Sequence, residues 1–213
     1  MQRLRLKFGR GEGLKFLSHL DLMRLWERAL RRAELPLAYS EGFTPHPRIS
    51  MAVPLSVGVT SQAELMDIFL SRWMSPDSFN THFREQLPDD IDLLESQSIG
   101  LDIPSLQSQV RFVEYRVEVE TDKGQTEAQA ALQSLLLAST LPWHHLRSKE
   151  VRHYDLRMLV DDLWVIDCCD ATCVLGMKLC CDARGTGRPE QVTKALGFPQ
   201  RPRSIHRTRV ILN

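Results

Sequence analysis

The chain has 213 residues, of which 43% are apolar and 25% charged, which suits one large soluble domain or two of about 100 residues each. No apolar run approaches the roughly 18 residues of a membrane span, and the alternating start MQRLRLKFGR lacks the apolar segment of a secretory signal, so the expected location is the cytoplasm with no membrane partner. The formal net charge is zero, yet residues 1–50 carry +5 and residues 183–213 carry +6, which leaves −11 for the middle; if the two ends meet, they form a positive surface suited to a polyanion.

QRLRLKF alternates strictly, with Leu4, Leu6 and Phe8 on one face and Arg3, Arg5 and Lys7 on the other. That pattern predicts a half-buried strand with a basic outer face. SHLDLMRLWERALRRAEL then opens a helix, with Ser18 as N-cap and Asp21 three residues on. Leu22, Leu25, Trp26, Ala29, Leu30 and Ala33 recur at helical spacing and face a core, while Arg24, Arg28, Arg31 and Arg32 fill the remaining surface. ISMAVPLSVGV is strand-like but broken by Pro54, and AELMDIFLS is a second alternating strand. SPDSFNTHFREQL starts a helix at Ser75 and Pro76, and DIDLLESQSIGL closes the first half as a strand.

The second half repeats the order. VRFVEYRVEVE alternates, TEAQAALQSLLLAS is helical, and two stretches of strand material follow, the first broken by polar residues. RPEQVTKALG is a short helix and RSIHRTRVIL a last strand. Two copies of βαββαβ predict an α+β protein built from two tandem ferredoxin-like halves with antiparallel sheets, over residues 1–103 and 109–213. LDIPSLQSQ marks the boundary.

The stretch SEGFTPHPRIS carries Gly42, which can take a positive φ, and Pro45 and Pro47, which fix φ. The resulting loop is stiff and projects His46 and Arg48 at defined angles, a layout suited to recognition. His19 sits at the first helical turn, where the helix dipole disfavours the imidazolium. GTGRPEQ is a glycine-containing turn into a helix, flanked by Arg184 and Arg188, with the geometry of an anion cradle but not the P-loop pattern. Arg203 and Arg207 extend the basic character of the C-terminal strand. The five cysteines, at 168, 169, 173, 180 and 181, match no zinc ribbon and no radical-SAM cluster motif. Their odd number argues against a disulfide framework, and they are expected to pack as small hydrophobes. His144 and His145 have no third ligand at metal spacing. No cofactor or metal set is read from the sequence.

FLSHLDLMRLWERALRRAELPLAYSEGFTPHPRISMAVPLSVGV, followed by Glu64 and Asp67, resembles the bacterial radical-SAM-linked (radical-SAM-associated) proteins. YDLRMLV, GTGRPEQVTKALG and IHRTRV are similar to later pieces of the same family. The resemblance implies a domain found alone or attached to a cobalamin-binding radical-SAM enzyme, with genes near those of an RNase E/G-type ribonuclease and ribosomal proteins, so a radical-SAM enzyme is the implied partner; it names no reaction. A more distant similarity is to the CRISPR RNA-processing endoribonucleases, tandem ferredoxin-like proteins with an early histidine, whose place His19 would take. Their C-terminal glycine-rich loop has no clean counterpart here.

Three functions follow as expectations. The first is a non-catalytic accessory protein that binds structured RNA, or presents substrate to a radical-SAM enzyme, in ribosomal or transfer RNA modification or processing. Its phosphate contacts would come from Arg24, Arg28, Arg31, Arg48, Arg184, Arg188, Arg203 and Arg207, with orientation from the loop at Gly42, Pro45, His46 and Pro47. The second is a metal-independent endoribonuclease using His19 or His46 as general acid or base. The third is a protein–protein adaptor without RNA binding.

Overall fold

The computed structural model describes residues 1–147, 150–198 and 200–213. The described residues form an α+β structure of mostly antiparallel strands with five helices, and the chain divides into two compact units, Met1–Val110 and Arg111–Asn213. Residues 104–110 belong to the first unit. Among the described residues no helix is long and apolar enough to cross a membrane.

In the first unit the elements run β1 (Gln2–Arg10), α1 (His19–Arg32), β2 (Ile49–Met51), β3 (Thr60–Leu70), α2 (Pro76–Arg84), β4 (Leu93–Ile99) and the short α3 (Leu106–Gln109). The strands lie in the order β2-β3-β1-β4, each pair antiparallel. The alternation in β1 does its expected work on one face. Leu4, Leu6 and Phe8 are fully buried with Leu22, Trp26, Ala29 and Leu30 of α1 and Phe79 and Phe83 of α2. Trp26 sits edge-on to Phe8, with ring centroids 4.6 Å apart, and tilted against Phe83 at 5.5 Å. Leu25 is only partly buried at the edge of this core.

The other face of β1 departs from the expected basic outer surface. Arg3 and Arg5 are 3% and 7% exposed, and only Lys7 reaches solvent. Register explains it. β1 pairs with β3 so that Arg5 lies opposite Asp67, and Arg3 opposite Phe69. The buried Asp67 carboxylate accepts from Arg3 Nε at 2.8 Å and Nη2 at 2.6 Å, and from Arg5 Nε at 2.8 Å and Nη2 at 3.1 Å. The spare donors of Arg3 reach the carbonyls of Ile103 at 2.6 Å and Pro104 at 2.9 Å. The segment leading into α3 therefore covers this face, tied down further by hydrogen bonds between Ser50 and Gln107. Burying a charge is tolerated when it is paired and hydrogen-bonded on all sides, and this cluster meets that condition.

The second unit contains β5 (Val110–Glu120), α4 (Gln125–Leu137), a separate ribbon of β6 (Pro142–Arg147) and β7 (Glu150–Asp155), β8 (Val160–Cys169), β9 (Thr172–Asp182), β10 (Gly185–Thr186), α5 (Pro189–Ala195) and β11 (Ser204–Leu212). Its sheet runs β10-β9-β5-β11, with β8 also paired to β9. In β5 alternate residues Val113, Tyr115, Val117 and Val119 are buried, the two-residue period of a strand with one face inward. The β6–β7 ribbon is the insertion that interrupts the strand material between α4 and β8.

One disulfide joins Cys168 to Cys173. This differs from the expectation of cysteines acting only as small hydrophobes, and the cause is again register: the β8–β9 hairpin sets these two residues directly opposite each other. Cys180 and Cys181 do pack as buried residues, whereas Cys169 is exposed. Burial pushes the Cys180 and Cys181 thiols above their ordinary range, and hydrogen bonding and the negative charge of Asp167 do the same for Cys169. All three are poor sources of thiolate, which is the reactive form.

Candidate nucleic-acid interface

The first unit brings several of the expected residues to one surface. Ser18 Oγ accepts from the Asp21 backbone N–H at 3.2 Å and so caps α1, fixing where the helix begins and which residues share a face. Leu20, Arg24, Arg28 and Arg31 follow one another at three- and four-residue spacing and are all exposed. They form a ridge along the helix opposite its buried stripe. The core residues leave no other place for these side chains, so the helix that builds the core also builds the cationic ridge.

Two walls flank the ridge. On one side, Arg32 donates from Nε to Gln86 Oε1 at 3.2 Å and from Nη2 to the Gln86 carbonyl at 2.7 Å, which holds residues 85–88 beside α1. The groove between them has a volume of about 740 Å³ and is lined by Arg24, Arg28 and Arg32, by the carboxylates Asp21 and Glu85, and by apolar residues such as Leu17, Leu25 and Leu87. Arg24 also lies 3.4 Å from Asp21 in an exposed pair of little energetic weight.

The second wall is the loop over residues 40–48. Its base is a small ladder. The Ser40 N–H donates to the His46 carbonyl at 2.9 Å, and the His46 N–H donates to Ser40 Oγ at 3.1 Å. Tyr39 bridges to Pro47, and the Arg48 N–H donates to the Ala38 carbonyl at 2.8 Å. Gly42 takes φ +128°, which reverses the chain at a place few other residues tolerate. Pro47 is buried as an anchor while Pro45 and His46 are exposed. His46 Nδ1 stands 4.0 Å from Glu27 Oε1, so the loop leans on α1 from the Glu27 side. Arg48 is exposed, but its guanidinium lies 4.5 Å from the Phe69 ring centroid, a cation–π contact on the sheet face of Arg3 and Asp67, so the group turns away from the α1 ridge. His19, the first residue of α1, is half-buried.

Phe43, at the tip of this loop, is wholly exposed, with a relative exposure of 110%. Sequence reasoning passed over it. The available signal was an aromatic residue set in a turn between glycine and proline, where no apolar partner is within reach along the chain.

The basic residues of the second unit divide differently. Arg184 is committed to Asp182, donating from Nη2 to Oδ2 at 2.9 Å and from Nε to Oδ1 at 3.2 Å. These bonds hold the Asp182 carboxyl down at about 2. Arg203 pairs with Glu120 at 2.8 Å. Arg188 is exposed and stands at the N-cap position of α5, where its side chain makes no capping hydrogen bond. Arg207 departs from the expectation of a surface contact: it is 2% exposed and donates to Tyr115 Oη at 3.1 Å. Its position in β11 turns the side chain inward, where Tyr115 supplies an acceptor. The expected anion cradle at GTGRPEQ is also dismantled. Gly185 and Thr186 pair with β9, and the Gly187 N–H is spent on the Cys180 carbonyl at 2.9 Å. α5 has only seven residues and begins with Pro189, which has no N–H to give. His144 faces His153 across the β6–β7 ribbon, with ring centroids 5.9 Å apart; the side chain of His145 lies outside the described residues.

No curated protein matches the chain. Among solved structures, it is similar to a chain of "Crystal Structure of a Cbf5-Nop10-Gar1 Complex", with a TM-score of 0.54 and 10% identity over 98% of this chain and 48% of that one. A chain of "Crystal structure of the archaeal box H/ACA sRNP Nop10-Cbf5 complex" aligns with a TM-score of 0.49 and 10% identity, over 98% and 47% of the two chains. The chain thus spans about half the length of the structures it matches, and at this identity the first likeness shows the fold alone. A protein-family profile matches residues 3–189, most of both units, and by that match the chain belongs to the family described as "Uncharacterized protein conserved in bacteria (DUF2344)".

Proposed function

We propose that this chain is a non-catalytic RNA-binding accessory protein whose first unit supplies the principal docking surface. The observation that carries the reading is the exposed ridge Arg24, Arg28 and Arg31, flanked by a groove that Arg24, Arg28 and Arg32 help to line and by a stiff loop bearing His46. Four residues of helix advance about 6 Å, so the ridge offers guanidinium groups at intervals comparable to the separation of phosphates along a strand. Arginine favours phosphate because its planar fork donates two parallel bonds. Exposed Arg188 of the second unit is a further candidate contact. Arg184 and Arg203, already paired with carboxylates, contribute more weakly.

The strand orders β2-β3-β1-β4 and β8-β9-β5-β11, each with two helices between the strands, support reading the units as two ferredoxin-like modules. Such sheets give α1 a rigid platform. A role beside a radical-SAM enzyme, in ribosomal or transfer RNA modification or processing, draws its support from the sequence resemblance.

Fluorescence anisotropy of labelled RNA against salt tests the reading. Binding by the whole protein weakens steeply as salt rises, because neutralised phosphates release counterions. Replacing Arg24, Arg28 and Arg31 together by Ala flattens the slope of log K against log salt by roughly 2, from about 0.7 per single-strand phosphate contact. Equal slopes for the two proteins would remove the ridge from the interface.

A second reading has one observation in its favour. His46 Nδ1 lies 4.0 Å from the Glu27 carboxylate on the same surface, an arrangement that could serve a general acid or base in RNA cleavage. On that reading His46→Ala abolishes cleavage of bound RNA and leaves affinity intact; the same test on His19 covers the other histidine. A protein adaptor without RNA binding is the outcome if neither affinity nor cleavage is found.

A further inference from the structure

We propose that Phe43 is a base-stacking residue, so that the RNA held by this surface is unpaired where the loop touches it. The inference rests on the RNA-binding reading above and narrows its substrate class from structured RNA in general to RNA with an accessible unpaired segment.

A phenylalanine side chain gains by leaving water, and Phe43 makes no use of that gain within the chain, at a relative exposure of 110%. Looseness does not account for it. The loop is closed at its base by the reciprocal Ser40 and His46 bonds and the Tyr39–Pro47 bridge, and Pro45 restricts the backbone beyond the ring. Gly42, at φ +128° with no atom within 4 Å of where a Cβ would stand, turns the chain just before the ring. A second aromatic, Tyr39 at the base of the loop, is 45% exposed. The geometry thus leaves an apolar ring out in solvent, on a loop whose base is fixed.

The surroundings decide what the ring meets. His46 shares its loop, and the loop leans on α1 from the side of Glu27, next to Arg24 and Arg31. Glu41 is the one acidic residue within the loop sequence itself. Aromatic rings beside cationic side chains that track a backbone are the arrangement that binds single-stranded nucleic acid, since every base has a face to stack on and every nucleotide a phosphate. An RNA duplex offers such a ring nothing, because its bases are stacked on one another and its major groove is deep and narrow.

The test compares a short single-stranded RNA with a duplex of the same sequence, by anisotropy with the full chain, for the wild type and for Phe43→Ala and Phe43→Trp. Circular dichroism verifies that the variants are folded, as expected for a residue without internal contacts. The wild type binds the single strand more tightly than the duplex. Phe43→Ala weakens single-strand binding by roughly 5- to 150-fold, leaves duplex binding and the salt slope unchanged, and Phe43→Trp restores the affinity. Equal affinity of the wild type for both RNAs, or an undiminished single-strand affinity in Phe43→Ala, would overturn the stacking role and leave RNA binding standing; the second result would point to a protein as the ring's partner. Failure of the wild type to bind either RNA would overturn the RNA-binding reading and this inference with it.

Discussion

Replacing Asp67 by Asn tests the buried charge cluster of the first unit. The carboxylate accepts four hydrogen bonds of 2.6 to 3.1 Å from Arg3 and Arg5, and all three side chains are nearly sealed from water. An amide of the same shape keeps one acceptor oxygen but turns an N–H₂ group toward guanidinium donors. It also removes the only negative charge the two cations share within the cluster. Losing one partner of a buried ion pair costs about 3–5 kcal/mol, because the remaining charge stays desolvated. With a urea dependence of about 1–3 kcal/mol per molar for a small domain, the unfolding midpoint should fall by at least about 1 M. Urea unfolding followed by tryptophan emission reads it, since Trp26 is buried in the core on the opposite face of the same strand. A companion variant, Arg3→Met with Arg5→Met and Asp67→Leu, removes all three charges together and should recover most of the loss, because apolar replacements of a buried ionic triad are tolerated. If Asp67→Asn lies within about 1 kcal/mol of the wild type, or if the apolar variant is as unstable as the single one, the cluster is not sealed as described.

Two further outcomes concern the second unit. The Asp182 carboxyl is held at about 2 by the Arg184 hydrogen bonds, against an ordinary 3.8, so its contribution to stability is present above about pH 4 and disappears as pH falls toward 2. The stability gap between wild type and Asp182→Asn, from urea curves at several pH values, therefore narrows across that window; a gap unchanged from pH 5 to pH 2 contradicts the pairing. Gly176 lies across from Trp164 in the β8–β9 register, and a Cβ there would fall 1.9 Å from the indole Cε2. Gly176→Ala should cost about 1 kcal/mol and push the partly exposed Trp164 further into water, visible as red-shifted emission; unaltered emission would mean that the ring does not lie over the glycine.

Local chemistry made much of this molecule readable from its sequence. The Ser18 cap, the stripe from Leu22 to Ala33 and the alternation of β5 depend on neighbours within a few residues, and each took the expected form. The constraints of Gly42, Pro45 and Pro47 were legible for the same reason. Long-range register was not. Nothing near Arg3 or Arg5 announces an aspartate more than sixty residues away, so a strand face ending in two arginines reads as solvated until β3 is laid beside β1. Arg207 is the same case in the second unit, its acceptor on Tyr115 being 92 residues distant. The Cys168–Cys173 bond needs only a hairpin, but it needs that hairpin in one particular register. The candidate site follows the same division: the arginine ridge is visible in a helical repeat, whereas its walls are set by Gln86 and Glu27 contacts that no spacing encodes.

The carbonyls of Ile103 and Pro104 and the side chain of Gln109 all serve guanidinium groups on the first strand. Anyone dissecting the protein should therefore cut after Val110 rather than at the proline-bearing stretch before it. A fragment ending at residue 103 would lose the cover over Arg3 and Arg5 and bare a cationic sheet face, which would attach to polyanions indiscriminately and imitate the binding that such a fragment was made to measure.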